Sequence, residues 1–365
     1  MTALVAQNIL LSIVGNRLLS GNMLVQAAVE QLAGKLPPGW RITSATPRSQ
    51  GRVAVDAVLR IRGPGSNSAS IQVEAKQRLE PKDLDYMVTT LRPVRERPVM
   101  VVAPFLSLRA QERLRTLGFD YADLTGNIRL SLSKPGLYIE TRGADKNPEP
   151  TVRDRRSLKG AKAGRLIRAL CDFRPPLGLR DLAKRAVVDA GYTSRIISFL
   201  DREALVVRKP RGPITNTDWA ALLRRWSQEY SPLQRGRARW FLAARGLAQL
   251  TDKLRTLSAR YAVSGSWAAA QFAPVAPSRL LLCYADDISQ LAQALDLRPA
   301  EAGSNVALVT PFDPVVYERT TKQKGTTVAA ASQIAADLLT GPGRSPNEAE
   351  ALMEWMRENE NAWRA

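Results

Sequence analysis

Apolar residues in the first 145 positions alternate between a helical and a strand-like spacing. Intervals of three and four between residues 22 and 35 predict a helix, which the Pro37-Pro38-Gly39 stretch ends. Runs rich in Val, Leu and Ile predict strands at 53–61, 70–75 and 99–103. The same criteria predict helices near 81–92 and 107–117 and strands near 120–123, 127–132 and 136–141. Residues 1–145 are therefore expected to form an α/β domain.

Helical spacing dominates the next segment, residues 152–258. It predicts helices at 158–171, 179–186 and about 194–203, followed by a hairpin at 205–214. Thr193 or Ser194 is expected to cap the third helix, because a hydroxyl there accepts backbone N–H bonds. Tryptophans later in this segment are predicted to lie on amphipathic helices and to pack in the core; they are Trp219, Trp226 and Trp240.

Residues 259–365 form a third segment, in which strand-like and helical patterns alternate again. The predicted elements are strands at 279–284 and 305–310 and helices at 328–340 and 347–358. A polar linker containing Pro148 and Pro150 separates the first two segments. The second boundary, between residues 257 and 263, is less distinct. A second α/β domain is expected here.

The net charge of +19 is concentrated in the middle of the chain. Residues 151–260 hold 25 Lys and Arg against 9 Asp and Glu, whereas residues 261–365 hold 8 against 12. A basic segment of this kind binds polyanions, since each phosphate contact releases condensed counterions. Because the charge coincides with the predicted helices and hairpin, double-stranded DNA is the expected partner. A solvated basic surface is the alternative.

The sequence has no histidine and only two cysteines, Cys171 and Cys283. This excludes histidine-dependent nucleophiles, histidine or cysteine-cluster metal sites and a disulfide framework. Any catalysis would therefore depend on carboxylates and lysines. No apolar stretch approaches the roughly 20 residues of a membrane-spanning helix, and no signal peptide is recognisable. A cytoplasmic location without a membrane partner is expected.

Three residues on the first two predicted strands suggest metal-dependent chemistry. Glu74 and Lys76 are two positions apart on one strand, so their side chains point to the same side. If the strands form a hairpin, Asp56 lies beside them. Two close carboxylates repel each other and favour a cation such as Mg²⁺ between them, while the lysine could orient an attacking water. A surface salt bridge across the hairpin is the alternative.

This arrangement resembles the PD-(D/E)XK nuclease superfamily, with Val55-Asp56 in place of Pro-Asp. The resemblance covers about 120 residues and implies a restriction-endonuclease-like fold. It also implies Asp56, Glu74 and Lys76 as catalytic residues and Glu30, Asp56 and Glu74 as metal ligands. Regulators can keep such a fold for binding alone. Further along, the Gly126-Asn127 pair is most simply a hairpin turn, with a functional role for Asp123 or Asn127 as the alternative.

The middle segment resembles the winged helix-turn-helix domains of bacterial regulators. In that fold the second helix of the pair lies in the major groove, and Arg195 is the best candidate to read a guanine edge. The residues expected to face DNA on this helix are Tyr192, Thr193, Ser194, Arg195 and Ser198. Those expected to reach phosphates or the minor groove from the wing are Arg208, Lys209 and Arg211. A helical domain that contacts only protein is the alternative.

The last segment resembles the AbiEi-type antitoxins and transcription regulators of type IV toxin–antitoxin systems. The similar stretches are Val-Ser-Gly-Ser-Trp-Ala-Ala from Val263 and Ala-Ser-Gln-Ile-Ala-Ala-Asp-Leu-Leu from Ala331. With the middle segment included, the resemblance covers residues 158–356. A nucleotidyltransferase site built from Gly265-Ser266 and Asp286-Asp287 is a weaker interpretation, since the Asp-x-Asp form is missing.

Together these patterns predict a sequence-specific DNA-binding transcription regulator of the antitoxin or defence-system type. A cognate toxin or another protein would bind through residues 259–365, and a homodimer is one alternative for the assembly. The rival hypothesis is a magnesium-dependent DNA endonuclease of a phage-defence system, targeted by its winged helix. A third hypothesis is an interaction protein that does not bind DNA.

Overall fold

The computed structural model describes residues 20–45, 55–91, 97–149, 157–210, 212–233 and 238–365. Over these residues the protein is mixed α/β, and the chain divides into two compact units, Met1–Asp154 and Arg155–Ala365. No helix in the described ranges is long and apolar enough to cross a membrane. Arg211, predicted to contact DNA, lies outside the described residues.

A seven-stranded sheet, with its strands in sequence order, forms the first unit. Its strands are β1 (Arg41–Ala45), β2 (Ala57–Arg62), β3 (Ser68–Ala75), β4 (Val99–Ala103), β5 (Asp120–Asp123), β6 (Ile128–Leu132) and β7 (Leu137–Thr141). The central strands β3, β4 and β5 run parallel, and all the other neighbours are antiparallel. The described helices are α1 (Gly21–Ala33), α2 (Asp83–Leu91) and α3 (Leu108–Thr116).

The helices of the first unit cover both faces of its sheet. Leu24 and Leu32 of α1 pack in one apolar cluster, together with Met100 and Val102 of β4. The alternate β4 residues pack in a second cluster with α2 and α3. Because β4 is covered on both faces, all five of its residues are buried, as expected for a continuous apolar run in a parallel sheet.

Helices and a short hairpin begin the second unit. In chain order they are α4 (Ala161–Asp172), α5 (Leu179–Arg185), α6 (Ala190–Arg202), β8 (Val206–Arg208), β9 (Ile214–Thr217) and α7 (Trp219–Ser227). The strands β8 and β9 pair antiparallel. Helix α6 begins four residues before the sequence prediction, since Asp189 caps it by accepting from the Tyr192 N–H at 2.7 Å. The prediction that Thr193 or Ser194 caps this helix is therefore wrong.

A second seven-stranded sheet follows. Its strands are β10 (Ala238–Leu242), β11 (Tyr261–Ser264), β12 (Leu281–Ala285), β13 (Arg298–Pro299), β14 (Val306–Val309), β15 (Thr321–Gln323) and β16 (Thr326–Val328). They are arranged in the order β13-β10-β14-β12-β11-β16-β15. The helices of this region are α8 (Gly246–Thr256), α9 (Gly265–Ala269), α10 (Ile288–Ala294), α11 (Ala331–Leu339), α12 (Ser345–Glu358) and α13 (Glu360–Trp363).

One apolar core connects the helices of the second unit with its sheet, and its members run in sequence from Leu158 to Trp363. Trp219 and Trp226 of α7 are buried in it, as predicted. Trp240 differs, because it lies on strand β10 rather than on a helix and is 38% exposed. The exposure of Trp240 depends on the strands that pair with β10. Those strands cannot be inferred from the spacing of apolar residues around Trp240.

Candidate functional site

Helix α6 presents one apolar and one polar side. Ile196, Ile197 and Leu200 are buried against the core, at the spacing of a single helical face. On the opposite side, Ser194 and Arg195 are exposed. The helix therefore offers a short polar surface close to its N-terminus.

Two of the other predicted contact residues on α6 are only partly accessible, and one is not accessible. Tyr192 and Ser198 are half-buried, and the Ser198 hydroxyl donates to the Ser194 carbonyl at 2.8 Å. Thr193 is fully buried, and its hydroxyl donates to the Asp189 carbonyl at 3.0 Å. Thr193 is therefore a structural residue in the first turn of α6 rather than an exposed contact.

Charged groups surround the N-terminus of α6. The Asp189 carboxylate, besides capping the helix, lies 3.3 Å from the Lys162 ammonium of α4. The Tyr192 N–H and the Lys162 ammonium hold the pKa of Asp189 below its ordinary value. The Lys162 ammonium and the Arg195 guanidinium lie 5.9 and 6.0 Å, respectively, from the centroid of the Tyr192 ring. This end of the helix therefore combines two cations with an aromatic ring.

The hairpin after α6 adds further positive charge. Lys209 is exposed at its turn and Arg208 is half-buried at the end of β8. The hairpin is fixed to the helices, because Leu177 and Ile214 exchange backbone hydrogen bonds at 3.0 and 2.9 Å. This backbone bridge joins strand β9 to the segment between α4 and α5, so the hairpin lies beside these helices.

A buried ion pair anchors α4, on which α5 and α6 pack, to the rest of the second unit. Arg168 and Asp172 are 1% and 4% exposed and 2.9 Å apart. The Arg168 guanidinium also donates to the Gln333 amide oxygen at 3.0 Å, and the Ser332 hydroxyl donates to Asp172. Since Ser332 and Gln333 belong to α11, this network joins the two helices through the core.

The network continues to the sheet through Asp337 of α11. Its carboxylate accepts from the hydroxyls of Tyr230, Tyr284 and Ser264 at 2.8, 2.9 and 2.5 Å, and from the Gln333 amide at 2.9 Å. Burial raises the pKa of Asp337, and the donors partly oppose that effect. With these hydrogen bonds satisfied, α4, α11, β11 and β12 form one fixed support.

In the first unit, the structure brings Glu74 and Lys76 together at 2.5 Å. Both side chains line a cavity of about 270 Å³ next to α2, where Tyr86 is 75% exposed. Lys76 follows β3 directly, and its N–H donates to the Val102 carbonyl at 2.8 Å. The predicted acidic-x-lysine side chains therefore lie on one side of the sheet, at the end of β3.

Asp56 is close in register but points elsewhere. Ala57 pairs with Val73, so continuing the register by one residue sets Asp56 across from Glu74. One Asp56 carboxylate oxygen, however, accepts from the Ala75 N–H at 2.8 Å, and the other lies 4.0 Å from the Cβ position of Gly21. Gly21 begins α1, which covers the other face of the sheet from α2. The Asp56 carboxylate is therefore directed to the β3 backbone and the start of α1, whereas Glu74 lines the cavity next to α2.

Glu30, the third predicted metal ligand, lies further along α1. It is nine residues from Gly21, or about 13 Å at the rise of an α-helix, and it accepts from the Gln26 amide at 3.2 Å. Within the described ranges, no group of three or more Asp, Glu or Cys side chains is arranged to hold a metal ion. Asp56, Glu74 and Glu30 thus do not fit Mg²⁺ as a common ligand set.

Asp123 and Asn127 form a closed network of hydrogen bonds. Asp123 is 1% exposed and accepts from the N–H groups of Leu106, Thr125 and Asn127 at 3.0, 2.9 and 3.0 Å. It also accepts from the Asn127 side-chain NH₂ at 2.8 Å, and the side-chain oxygen (Oδ1) of Asn127 accepts from the Gly143 N–H at 2.8 Å. These contacts hold three loops together, so the pair has a structural role.

The polar residues of the alternative nucleotidyltransferase site are engaged separately. Asp287 caps α10 by accepting from the Gln290 N–H at 2.9 Å, and Asp286 accepts from the Tyr317 hydroxyl at 3.0 Å. The Ser266 hydroxyl donates to Glu348. The geometry therefore does not bring Ser266 and the two aspartates to one centre.

Comparison with protein-family models, curated proteins and solved structures found no match for this chain. Functional inference therefore depends on the geometry above. Asp189 and Lys162 belong to the surface at the start of α6, although sequence reasoning gave Asp189 no role. The aspartate three positions before Tyr192 was an available signal, since Asp is a preferred capping residue.

Proposed function

We propose that this protein binds double-stranded DNA through α4, α5, α6 and the β8–β9 hairpin, arranged as a winged helix-turn-helix. The observation that carries the proposal is the polar side of α6, with Ser194 and Arg195 exposed opposite a buried apolar side. A major groove is wide enough to admit such a helix. Arg195 would contact a guanine edge, and Lys209 and Lys162 would contact phosphates on either side.

The support beneath this interface favours readout of a sequence over loose attachment. A helix discriminates bases only when its side chains are held in register with the groove, and phosphate contacts alone carry no sequence information. The buried Arg168–Asp172 pair and the Asp337 network fix α4 against the sheet. The protein would therefore act as a sequence-specific regulator, of the antitoxin or defence type that the sequence resembles.

Two variants test this interface. Arg195→Ala should cost about 1–3 kcal/mol at one base pair and relax specificity there, whereas Lys209→Ala should weaken binding to all duplexes and flatten the salt dependence. A randomised duplex library, selected with the wild type and each variant, measures both effects. Arg279→Ala, an exposed arginine of the second unit outside α4–α6 and the hairpin, is the matched control. Absence of duplex binding at low salt would reject the proposal.

Magnesium-dependent DNA cleavage by the first unit is a second candidate, supported by the 2.5 Å contact of Glu74 and Lys76 beside a cavity. The carboxylates do not fit one metal ion, so no catalytic step follows from them. On this geometry the nuclease-like unit would grip DNA without cutting it. Plasmid nicking that requires magnesium and is lost in Glu74→Ala would show that the first unit cuts DNA rather than only gripping it.

A protein partner for residues 259–365, such as a cognate toxin, stays a prediction from the sequence resemblance. Burial and charge in this region point to no particular protein-binding surface. The same holds for a homodimer. Co-purification of the full-length protein with a toxin expressed alongside it would test the partner directly.

A further inference from the structure

Strand β10 carries a tryptophan, Trp240, whose side chain is exposed to solvent. Trp240 is 38% exposed, while Trp219, Trp226 and Trp363 are at most 9% exposed. Within the described chain, no hydrogen bond and no ring contact involves its indole. A large apolar ring with an unused N–H is typical of a surface that meets a partner with both apolar and polar groups.

An arginine lies diagonally across from this tryptophan. Leu242 of β10 pairs with Arg298 of β13, so Arg298 and Trp240 share a face and are diagonal neighbours. Diagonal neighbours in an antiparallel pair lie within reach of long side chains. Arg298 is exposed, and it has no carboxylate partner among the described residues. The pair Trp240–Arg298 is therefore an aromatic and cationic surface at the sheet edge.

The strand register shows which face of the sheet this surface occupies. Trp240 pairs with Ala307, Ala307 with Leu282, and Leu282 with Ser264. Paired residues project to the same side of a sheet, so Trp240 is on the side of Ser264. The Ser264 hydroxyl donates to Asp337 of α11, at 2.5 Å. The Trp240–Arg298 surface thus lies on the face that packs on α11, and α11 in turn anchors α4.

We infer that Trp240 and Arg298 form a second contact with double-stranded DNA, outside the segment bound by α6. This inference rests on the proposed function. The guanidinium neutralises a backbone phosphate, and the indole packs on the neighbouring sugar while its N–H donates to phosphate oxygen. Both groups contact the backbone, so the surface adds affinity without base preference. Glu301, three residues after Arg298, is exposed and opposes the attraction.

Fluorescence anisotropy with labelled duplexes of about 14 and 40 base pairs tests this contact across a salt series. For the 40-base-pair duplex, Arg298→Ala should weaken binding and reduce the log–log salt slope by about 0.9, the value for one phosphate. Glu301→Gln should strengthen that binding. The 14-base-pair duplex, chosen to occupy the α6 interface alone, should respond to neither change. Arg279→Ala, which changes another exposed arginine, before β12, is the matched control.

Intrinsic fluorescence gives an independent readout. The long duplex should quench the wild type more than Trp240→Phe, because Trp240 is the most accessible of the tryptophans named above. If Trp240→Phe and Arg298→Ala match Arg279→Ala in every measurement, the inference is overturned. Tighter binding of a single strand than of a duplex through these residues would also overturn it. If Lys209→Ala has no effect while Arg298→Ala weakens binding, the α6 interface fails and the sheet-edge contact stands.

Discussion

The Lys76–Glu74 pair of the first unit and the Arg168–Asp172 pair of the second are similar in length, at 2.5 and 2.9 Å. Their surroundings differ. The first pair is 39% and 14% exposed and lines a cavity, whereas the second is 1% and 4% exposed and is enclosed by hydrogen bonds. Water can replace either partner of the first pair but neither partner of the second. An ion pair in a cavity is available to a ligand, whereas a buried one fixes the position of its helix.

Breaking the buried pair is the largest expected effect. Arg168→Leu leaves the Asp172 carboxylate without its cation and removes hydrogen bonds to the Gln333 amide and the Val315 carbonyl. The free energy of unfolding should fall by about 3–5 kcal/mol, because an unpaired buried charge is strongly unfavourable. Urea denaturation followed by circular dichroism measures it.

The double variant Arg168→Met with Asp172→Leu is the control for this change. It removes both charges, so it should recover a large part of the lost stability. A loss below about 1 kcal/mol for Arg168→Leu would show that the pair does not anchor α4.

The Asp123 network of the first unit gives the next largest effect. Asp123→Ala removes the acceptor for buried N–H groups of Leu106, Thr125 and Asn127. The free energy of unfolding should fall by about 3–4 kcal/mol, because buried N–H donors are left unsatisfied and charge-assisted hydrogen bonds are lost. Thermal and urea denaturation test this expectation. Lost DNA binding at unchanged stability would instead assign Asp123 a functional role.

Asp120, also in the first unit, should make stability depend on pH. Burial raises the pKa of its carboxyl from 3.8 to about 6, against the opposing effects of the Ser131 N–H and Arg129. The folded state therefore binds the proton more tightly than the unfolded state. The protonated Asp120 carboxyl therefore stabilises the folded state fully below about pH 4, and this contribution is lost as the pH rises through about 6.

The difference between the wild type and Asp120→Asn isolates that contribution. From pH 4 to pH 7 the unfolding free energy of the wild type, relative to the variant, should fall by about 2–3 kcal/mol. Urea denaturation of both proteins at four pH values measures the difference. Parallel pH profiles would mean that Asp120 titrates normally in the folded protein.

The smallest effect is expected for the cavity pair. Glu74→Gln or Lys76→Met should change the unfolding free energy by less than about 1 kcal/mol, since both partners stay accessible to water. Denaturation curves of the two variants provide the measurement. A loss approaching that of Arg168→Leu would remove the contrast between the two pairs and make Glu74 and Lys76 structural residues.

Local patterns were sufficient for most of the secondary structure. The predicted strand at 99–103 coincides with β4, and the helix predicted at 328–340 contains α11. Apolar periodicity depends on neighbours within a few residues, so it can be read from one sequence. Trp240 shows the limit of such local patterns, because the strands that pair with β10 lie near residues 299 and 307, about 60 residues away in the sequence.

The candidate sites were predictable to different degrees for the same reason. Ser194 and Arg195 are exposed as expected, because a helical face follows from spacing alone. The direction of the Asp56 side chain depends on the bend at Asp56 itself, where its carboxylate accepts from the Ala75 N–H. A bend of this kind leaves no periodic pattern in the sequence. The strand pattern could bring Asp56 and Glu74 into register, but it could not decide which side each carboxylate occupies.

Hydrogen exchange of the protein, with and without a duplex selected from a randomised library, shows whether α6 is the helix that reads DNA. We expect slower exchange at residues 190–198 of α6 and along the β8–β9 hairpin when DNA is bound. Amides of the Glu74 cavity should change less. Protection confined to the first unit, with α6 and the hairpin unchanged, would contradict the claim that this helix reads DNA.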